Sequence, residues 1–210
     1  MKTILIPFIA ILAFVSCQGQ TEKEPEQTTE TETTKDVEEK SDKSFELTTW
    51  EALDFNTVEL FGTDWALVAA GNMDDYNMMT ISWGSWGWLW GNPVSNVYVR
   101  PQRHTHNYTE REDYFTICFF NDEDKEALKK MGTVSGRDFD KMNYEKLTPF
   151  ETENGSIAFE EAYLVVECRK IYATVLQAAD FVDSSLCENV YPEKDFHTHY
   201  VGEITNVYLK

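Results

Sequence analysis

Between Tyr76 and Arg103 the chain reads YNMMTISWGSWGWLWGNPVSNVYVRPQR. Four of its six tryptophans fall here, with Gly84, Gly87 and Gly91 between them and Arg100 and Arg103 at the end. Tryptophan supplies flat apolar walls with one polar handle. Glycine lets backbone amides approach a ligand closely, because no Cβ intervenes. Arginine supplies a planar fork of donors that fits phosphate. Flat walls, bare amides and a phosphate clamp together are what a flavin mononucleotide (FMN) requires.

The residue types also assign places. On a strand, Thr80 and Ser82 share one face while Ile81 takes the other. Amides from Thr80 to Gly84 could then donate to the pyrimidine edge of a flavin, where donors stabilise the charge of the reduced ring and tune its potential. Met78, Met79 and the tryptophans also suit an ordinary core, and Trp86 and Trp88 suit either core or a dimer surface. Arg100 and Arg103 fit a surface pair meeting carboxylates as well as a phosphate clamp. The four histidines form two His-x-His pairs, His104/His106 and His197/His199. On a strand such spacing points both rings the same way, a hint of metal binding. No carboxylate constellation accompanies it, so no metal site is expected.

The stretch closely resembles the flavin reductase-like family of FMN-binding split barrels, whose pattern is roughly N-x-M-T-x-S-W-G followed by R-P-x-R-x-T. Asn77, Met79, Thr80, Ser82, Trp83 and Gly84 match its first part, and Arg100, Pro101, Arg103 and Thr105 its second. Further blocks follow in order. They are Glu112 to Thr116, the loop Gly132 to Asp138 with Lys141, the segment Glu160 to Tyr172, and Tyr200 to Ile204. The likeness covers about 45–210. It implies a site in which Ile81 lies among the Asn77–Gly84 residues, and in which at least one of Arg100 and Arg103 meets the phosphate, with Thr105 adding a hydroxyl. Ser135, Gly136 and Arg137 would add a second anion-binding turn, with Lys141 reaching the same region. Relatives often carry an aromatic residue after the second arginine, where this chain has His104-Thr105-His106. The resemblance also implies a homodimer, with the flavin between subunits.

The elements that would hold these residues can be read from periodicity and turn chemistry. Thr48 to Glu51 fits a capping box opening a short helix. Trp65 to Ala70 reads as a strand, Asn72 to Asn77 as a polar connection, and Met78 to Trp83 and Pro93 to Val99 as paired strands flanking a Gly/Trp loop. Asn107 to Glu112 reads as a short helix, Tyr114 to Phe120 as a strand, and Asp122 to Met131 as a helix capped by Asn121 or Asp122. Asn154-Gly155 marks a hairpin. Ala162 to Val175 and Tyr200 to Leu209 read as long strands. The fold expected is mainly β with peripheral helices, a split β-barrel. No G-x-G-x-x-G follows a strand, which argues against a Rossmann fold.

The N-terminus carries a different message. Met1-Lys2-Thr3 precedes an apolar run, Ile4 to Val15, that ends at Ser16-Cys17. The run is too short for a permanent span and has the form of a secretory signal. Ser16-Cys17 resembles a bacterial lipoprotein processing site, which implies lipidation of Cys17 and a membrane anchor on the periplasmic or cell-surface side. Residues 1–16 are thus expected to be a signal peptide. Residues 17–44 are expected to be a disordered acidic tether, since nine acids stand against four lysines from Gln18 to Ser44. Residues 45–210 are expected to be one domain.

That domain carries 28 of the 37 acidic and 13 of the 18 basic residues, within a net charge of −19. Such acidity argues against nucleic acid as a partner. Cys118 and Cys168 sit in apolar runs and are expected to be buried, and no CxxC suggests a disulfide framework. The reading that emerges is an oxidoreductase passing electrons through FMN. Its rivals are a non-enzymatic electron-transfer module and a metal- or ligand-binding lipoprotein without flavin. The residues name neither electron donor nor acceptor.

Overall fold

The computed structural model describes residues 44–210, so the signal peptide, the tether and the lipidation expected at Cys17 lie outside the described residues. Ten strands and four α-helices follow in order: β1 Glu46–Thr48, α1 Thr57–Glu59, β2 Ala66–Asn72, β3 Asp75–Ile81, β4 Gly84–Leu89, β5 Asn92–Val99, α2 His104–Arg111, β6 Tyr114–Phe119, α3 Lys125–Thr133, β7 Pro149–Glu151, β8 Ile157–Phe159, β9 Leu164–Val175, α4 Ser184–Val190 and β10 Thr198–Leu209. Eight strands form one antiparallel sheet in the order β3-β2-β6-β9-β10-β5-β4, with β1 added on β10.

The two ends of that path, β3 and β4, are consecutive in sequence but not hydrogen-bonded to each other. Only Ser82 and Trp83 join them. The barrel is therefore split at the motif itself. The expected pairing of Met78–Trp83 with Pro93–Val99 is not made. Strand β3 pairs with β2 from Ile81↔Ala66 to Asp75↔Asn72, and β5 pairs with β4 and β10.

Both faces of the sheet are covered, and the alternation of side chains sorts them. Val68, Phe115, Ile117, Phe119, Val166 and Tyr200 fill the inside with Phe61. Leu67, Cys118 and Val165 point outward, beneath Leu128 and Met131 of α3 and Ile157 to Phe159 of β8. Cys118 and Cys168 are free and fully buried, and burial pushes the Cys118 thiol up to about 12. Among buried polar groups, Glu167 accepts from Asn154 Nδ2 at 2.9 Å and Asn206 Nδ2 at 2.6 Å, and also from Thr152 Oγ1. It fastens the β7–β8 hairpin to the sheet, and Gly155 turns that hairpin at φ +75° as Asn154-Gly155 suggested.

Several local expectations are corrected. The polar connection shrinks to Met73–Asp74, because Asn72 Oδ1 accepts from Asp74 N and Asp75 N at 2.9 and 3.1 Å and closes a tight turn. Asn77 is therefore within β3. The Gly/Trp segment is a strand, β4, joined to β5 by a two-residue turn at Trp90 (φ +52°) and Gly91 (φ +81°), the positive-φ geometry of a tight hairpin. At the start of the domain a 3-10 turn, Trp50–Ala52, forms without a side-chain cap. A second such turn, Asp122–Asp124, leads into α3, where neither Asn121 nor Asp122 provides the expected side-chain cap.

Candidate functional site

A cleft of about 290 Å³ opens at the split. The end of β3 supplies Met79, Thr80 and Ile81, and Ser82 and Trp83 follow on the link to β4. Tyr98 and Arg100 come from β5 and its exit, Arg103 from the start of α2, Gly132 from the end of α3 and His197 from the approach to β10. A second lobe of about 270 Å³ shares Thr80, Ile81, Ser82 and Gly132, and adds Trp65, Leu128, Lys129 and Thr133. Trp65 holds φ +66° and ψ 167° there. Side chains with a Cβ rarely adopt that conformation, and it costs of order 1–3 kcal/mol.

The wall formed by α3 is built by three donors from three elements. Thr80 Oγ1 donates to the Leu128 carbonyl. Lys141 Nζ donates to Met131 O at 2.9 Å and to Met78 O of β3 at 2.7 Å. Arg103 Nη2 donates to Gly132 O at 2.8 Å. The Met131 and Gly132 carbonyls belong to the last turn of α3, where carbonyls lack intrahelical partners and carry the negative end of the macrodipole. Burial, with the Arg103 charge beside it, pulls the Lys141 ammonium down to about 8.

The two arginines differ. Arg103 is half-buried and takes a backbone carbonyl rather than a carboxylate, and burial lowers its pKa. Arg100 is ion-paired to Asp195, donates to Val190 O at 3.0 Å and lies 5.2 Å from the Tyr191 ring centroid. Among the described residues Arg103 has no carboxylate partner, in a chain of charge −19.

His197 completes the cleft. Its Nδ1 meets the Tyr191 hydroxyl at 2.8 Å, and its ring lies 4.9 Å from that of Trp83. Burial first, and the Arg100 charge second, hold its pKa down at about 4, so the ring is neutral at pH 7.

Of the residues expected at the site, Met79, Thr80, Ile81, Ser82, Trp83, Arg100 and Arg103 line the cleft. Gly84 opens β4 and packs on Phe61, where a Cβ would lie 2.3 Å from the ring. Lys141 lies under the floor. Asn77, Ser135, Gly136 and Arg137 gather beside it: a Cβ on Gly136 would come within 2.1 Å of Asn77 Nδ2, Ser135 Oγ accepts from Arg137 N at 3.2 Å, and Arg137 Nη1 donates to Gln102 O at 2.9 Å. Thr105 is buried in the first turn of α2, and Pro101 faces a separate depression with His106 and Glu110. The histidine pairs do not act as pairs. His104 and His106 begin a helix, where residues two apart point in different directions. His106 meets Thr198, while His199 meets Asn96. Among the described residues no three His, Cys, Asp or Glu side chains converge as a metal site.

Sequence reasoning missed Tyr98, His197, Gly132 and Trp65. Tyr98 was recoverable, because alternation along β5 puts it on the face of Arg100. Gly132 opens the 132–138 loop named above, though not as a site residue, and Trp65 and His197 come from segments outside the matching blocks.

Comparison with known proteins agrees with this architecture. Residues 58–210 match the model of the flavin reductase like domain. An FMN-binding protein from Thermus thermophilus, with bound p-hydroxybenzaldehyde, is 23% identical, with a TM-score of 0.54 over 70% of this chain and 71% of that one. Flavoredoxin from Methanosarcina acetivorans is 22% identical, with a TM-score of 0.55 over 70% and 68%. Flavoredoxin of Desulfovibrio vulgaris (Miyazaki F) is 21% identical, with a TM-score of 0.55 over 70% of each chain. No curated protein matches the chain. The split antiparallel sheet, the cleft at its opening and the match over 58–210 place this chain in the flavin reductase-like domain family.

Proposed function

We propose that this protein binds FMN in the cleft at the β3–β4 split and passes electrons through it. The observation that carries the reading is Arg103: a half-buried cation lining the cleft, tied to a helix carbonyl and without a carboxylate partner among the described residues. Trp83 and Tyr98 offer aromatic surface, and the β3 terminus, which has no strand neighbour on the β4 side, offers unpaired amides. Bound flavin supplies the redox chemistry. The chain's residues orient it, withhold water and place the neutral His197 imidazole, with Nε2 as its free ring nitrogen, beside the ligand.

Two functional forms follow. One is a flavin-dependent oxidoreductase and the other an electron-transfer module. The N-terminal signal favours the second, because an address outside the cytoplasm deprives the domain of nicotinamide nucleotides. We further infer a lipid anchor at Cys17 and a homodimer. The dimer is supported by the aromatic edge of β4 and its turn, where Trp88 is 63% and Trp90 62% exposed. Trp88 lies edge-on to Trp50 and Trp90 edge-on to Tyr172, two exposed aromatic pairs at this end of the hairpin.

Fluorescence titration of the full chain with FMN tests the reading. Saturable binding is expected, and no uptake by folded protein at high micromolar FMN would remove it. Fractionation of cells carrying Cys17→Ala tests the anchor, which requires the variant to leave the membrane fraction.

A further inference from the structure

Residues 176–197 connect β9 to β10 as a long excursion carrying α4. None of residues 176–190 is buried, so packing contributes little to holding them. The attachment is concentrated at the end. Asp195 Oδ2 accepts from Gln102 Nε2 at 2.5 Å and from Arg100 Nη1. The other arm of Arg100 takes Val190 O at 3.0 Å, and its guanidinium covers Tyr191. Tyr191 in turn packs on Phe181 and Phe196, with ring centroids 5.8 and 4.8 Å apart. One guanidinium thus holds three points of the excursion, and that same guanidinium lines the cleft.

Asp195 is an incomplete partner for this task. Its Oδ1 is buried without a hydrogen bond, so only one carboxylate oxygen is satisfied. Gln102 and Arg100 keep the carboxyl ionised by holding its pKa below the usual range. A phosphate entering the cleft would present Arg100 with more charge and more acceptor oxygens than Asp195 does.

We propose that Asp195 is a specificity-determining residue, an internal anion that competes with the ligand's phosphate for Arg100. The proposal rests on the flavin reading above. A phosphate-bearing flavin draws Arg100 from Asp195 to itself and loosens the excursion. A flavin without phosphate leaves the pair closed. Asp195 thereby sets how strongly the cleft prefers FMN to riboflavin, since a ligand shifts such an equilibrium only through its differential affinity for the two arrangements.

The test compares FMN and riboflavin affinities in the full-length wild type, Asp195→Asn and Glu193→Gln. Asparagine still accepts from Gln102 and Arg100 but no longer competes as an anion. Glu193 is exposed on the same excursion, and its variant removes one negative charge without touching Arg100. Asp195→Asn is expected to raise the FMN preference over riboflavin about threefold to tenfold beyond any change in Glu193→Gln. In the wild type, hydrogen exchange of amides 190–196 should accelerate with FMN and not with riboflavin. Equal ratios in the two variants, or exchange that FMN leaves unchanged, would overturn the proposal while leaving flavin binding intact. A wild type that binds neither flavin would overturn the underlying reading first.

Discussion

Arg103 donates from Nη2 to the carbonyl of Gly132, 2.8 Å away, and so ties the start of α2 to the end of α3 across the cleft. The bond holds the guanidinium at the cleft wall and leaves its other donors for a ligand. Arg100, three residues earlier, has both terminal nitrogens engaged, one with Asp195 and one with Val190 O. Arg103→Ala is therefore expected to weaken FMN about ten- to hundredfold, the value of one charge-assisted contact of roughly 1.5–3 kcal/mol. Riboflavin affinity should fall much less. Paired titrations measure this, and equal losses for both flavins would mean that Arg103 acts only by fixing the wall.

Lys141 should give the fold a pH signature. Its pKa falls from 10.5 in the unfolded chain to about 8 when folded. Between those values the unfolded state binds more protons, so this residue's contribution to stability rises with pH. The stability of wild type minus that of Lys141→Met should therefore increase from pH 7 to 9.5. Urea melts at the two values check it, and a constant difference would show that the ammonium is not desolvated.

His197 should titrate near 4. Below its ordinary value of 6.5 the ring must stay neutral to remain folded in place, so stability due to it falls as pH drops from 6.5 toward 4. Proton NMR of the ring in the full chain gives the midpoint. Arg100→Ala should raise that midpoint, since the Arg100 charge contributes to the depression. An unshifted midpoint near 6.5 in the wild type would contradict the buried placement.

Much of this was readable before any coordinates. Met79 to Trp83, Arg100 and Arg103 of the matched patterns line the cleft, the Asn154-Gly155 turn closes the separate β7–β8 hairpin, and the two long strands are β9 and β10 of the main sheet. What escaped had physical reasons. Gly84, Gly87 and Gly91 made β4 read as a loop, yet Trp86 packs against Phe61 and Phe119 inside the barrel and holds the strand there. Helix α4 buries no residue, so it leaves no apolar period in the sequence, and its Asp183 cap is the only local sign. The partner of Arg100 stands 95 residues downstream, a pairing that local patterning does not encode.

Tight backbone approach beside the site predicts a sharp contrast between two glycines. Gly136→Ala would drive a methyl to 2.1 Å from Asn77 Nδ2, whereas Gly62→Ala meets nothing within 4 Å. The first should destabilise by about 1–3 kcal/mol, as overpacking does, and the second should be nearly neutral. Thermal melts of the two variants decide it, and similar melting would show that the 135–137 turn yields freely.

Reduction kinetics separate an enzyme from a carrier. NADH and NADPH are expected to reduce bound FMN slowly compared with a small chemical reductant, given the address implied by Ser16-Cys17. Anaerobic stopped-flow would show it. Rates of about ten per second or more at micromolar nucleotide, ordinary for enzymes, would contradict the carrier form.

The central claim is that flavin sits at the β3–β4 split. Gly132 lines both lobes there on helical backbone, and an added Cβ would lie 3.2 Å from Thr80 Cβ, so that Thr80 must give by a few tenths of an ångström. Gly132→Phe would fill the cleft from the α3 side. The deciding measurement is the FMN dissociation constant of wild type and Gly132→Phe, with circular dichroism confirming that both are folded. The account predicts saturable binding by the wild type and its loss in the variant. Equal binding by both proteins would place the flavin elsewhere and contradict it.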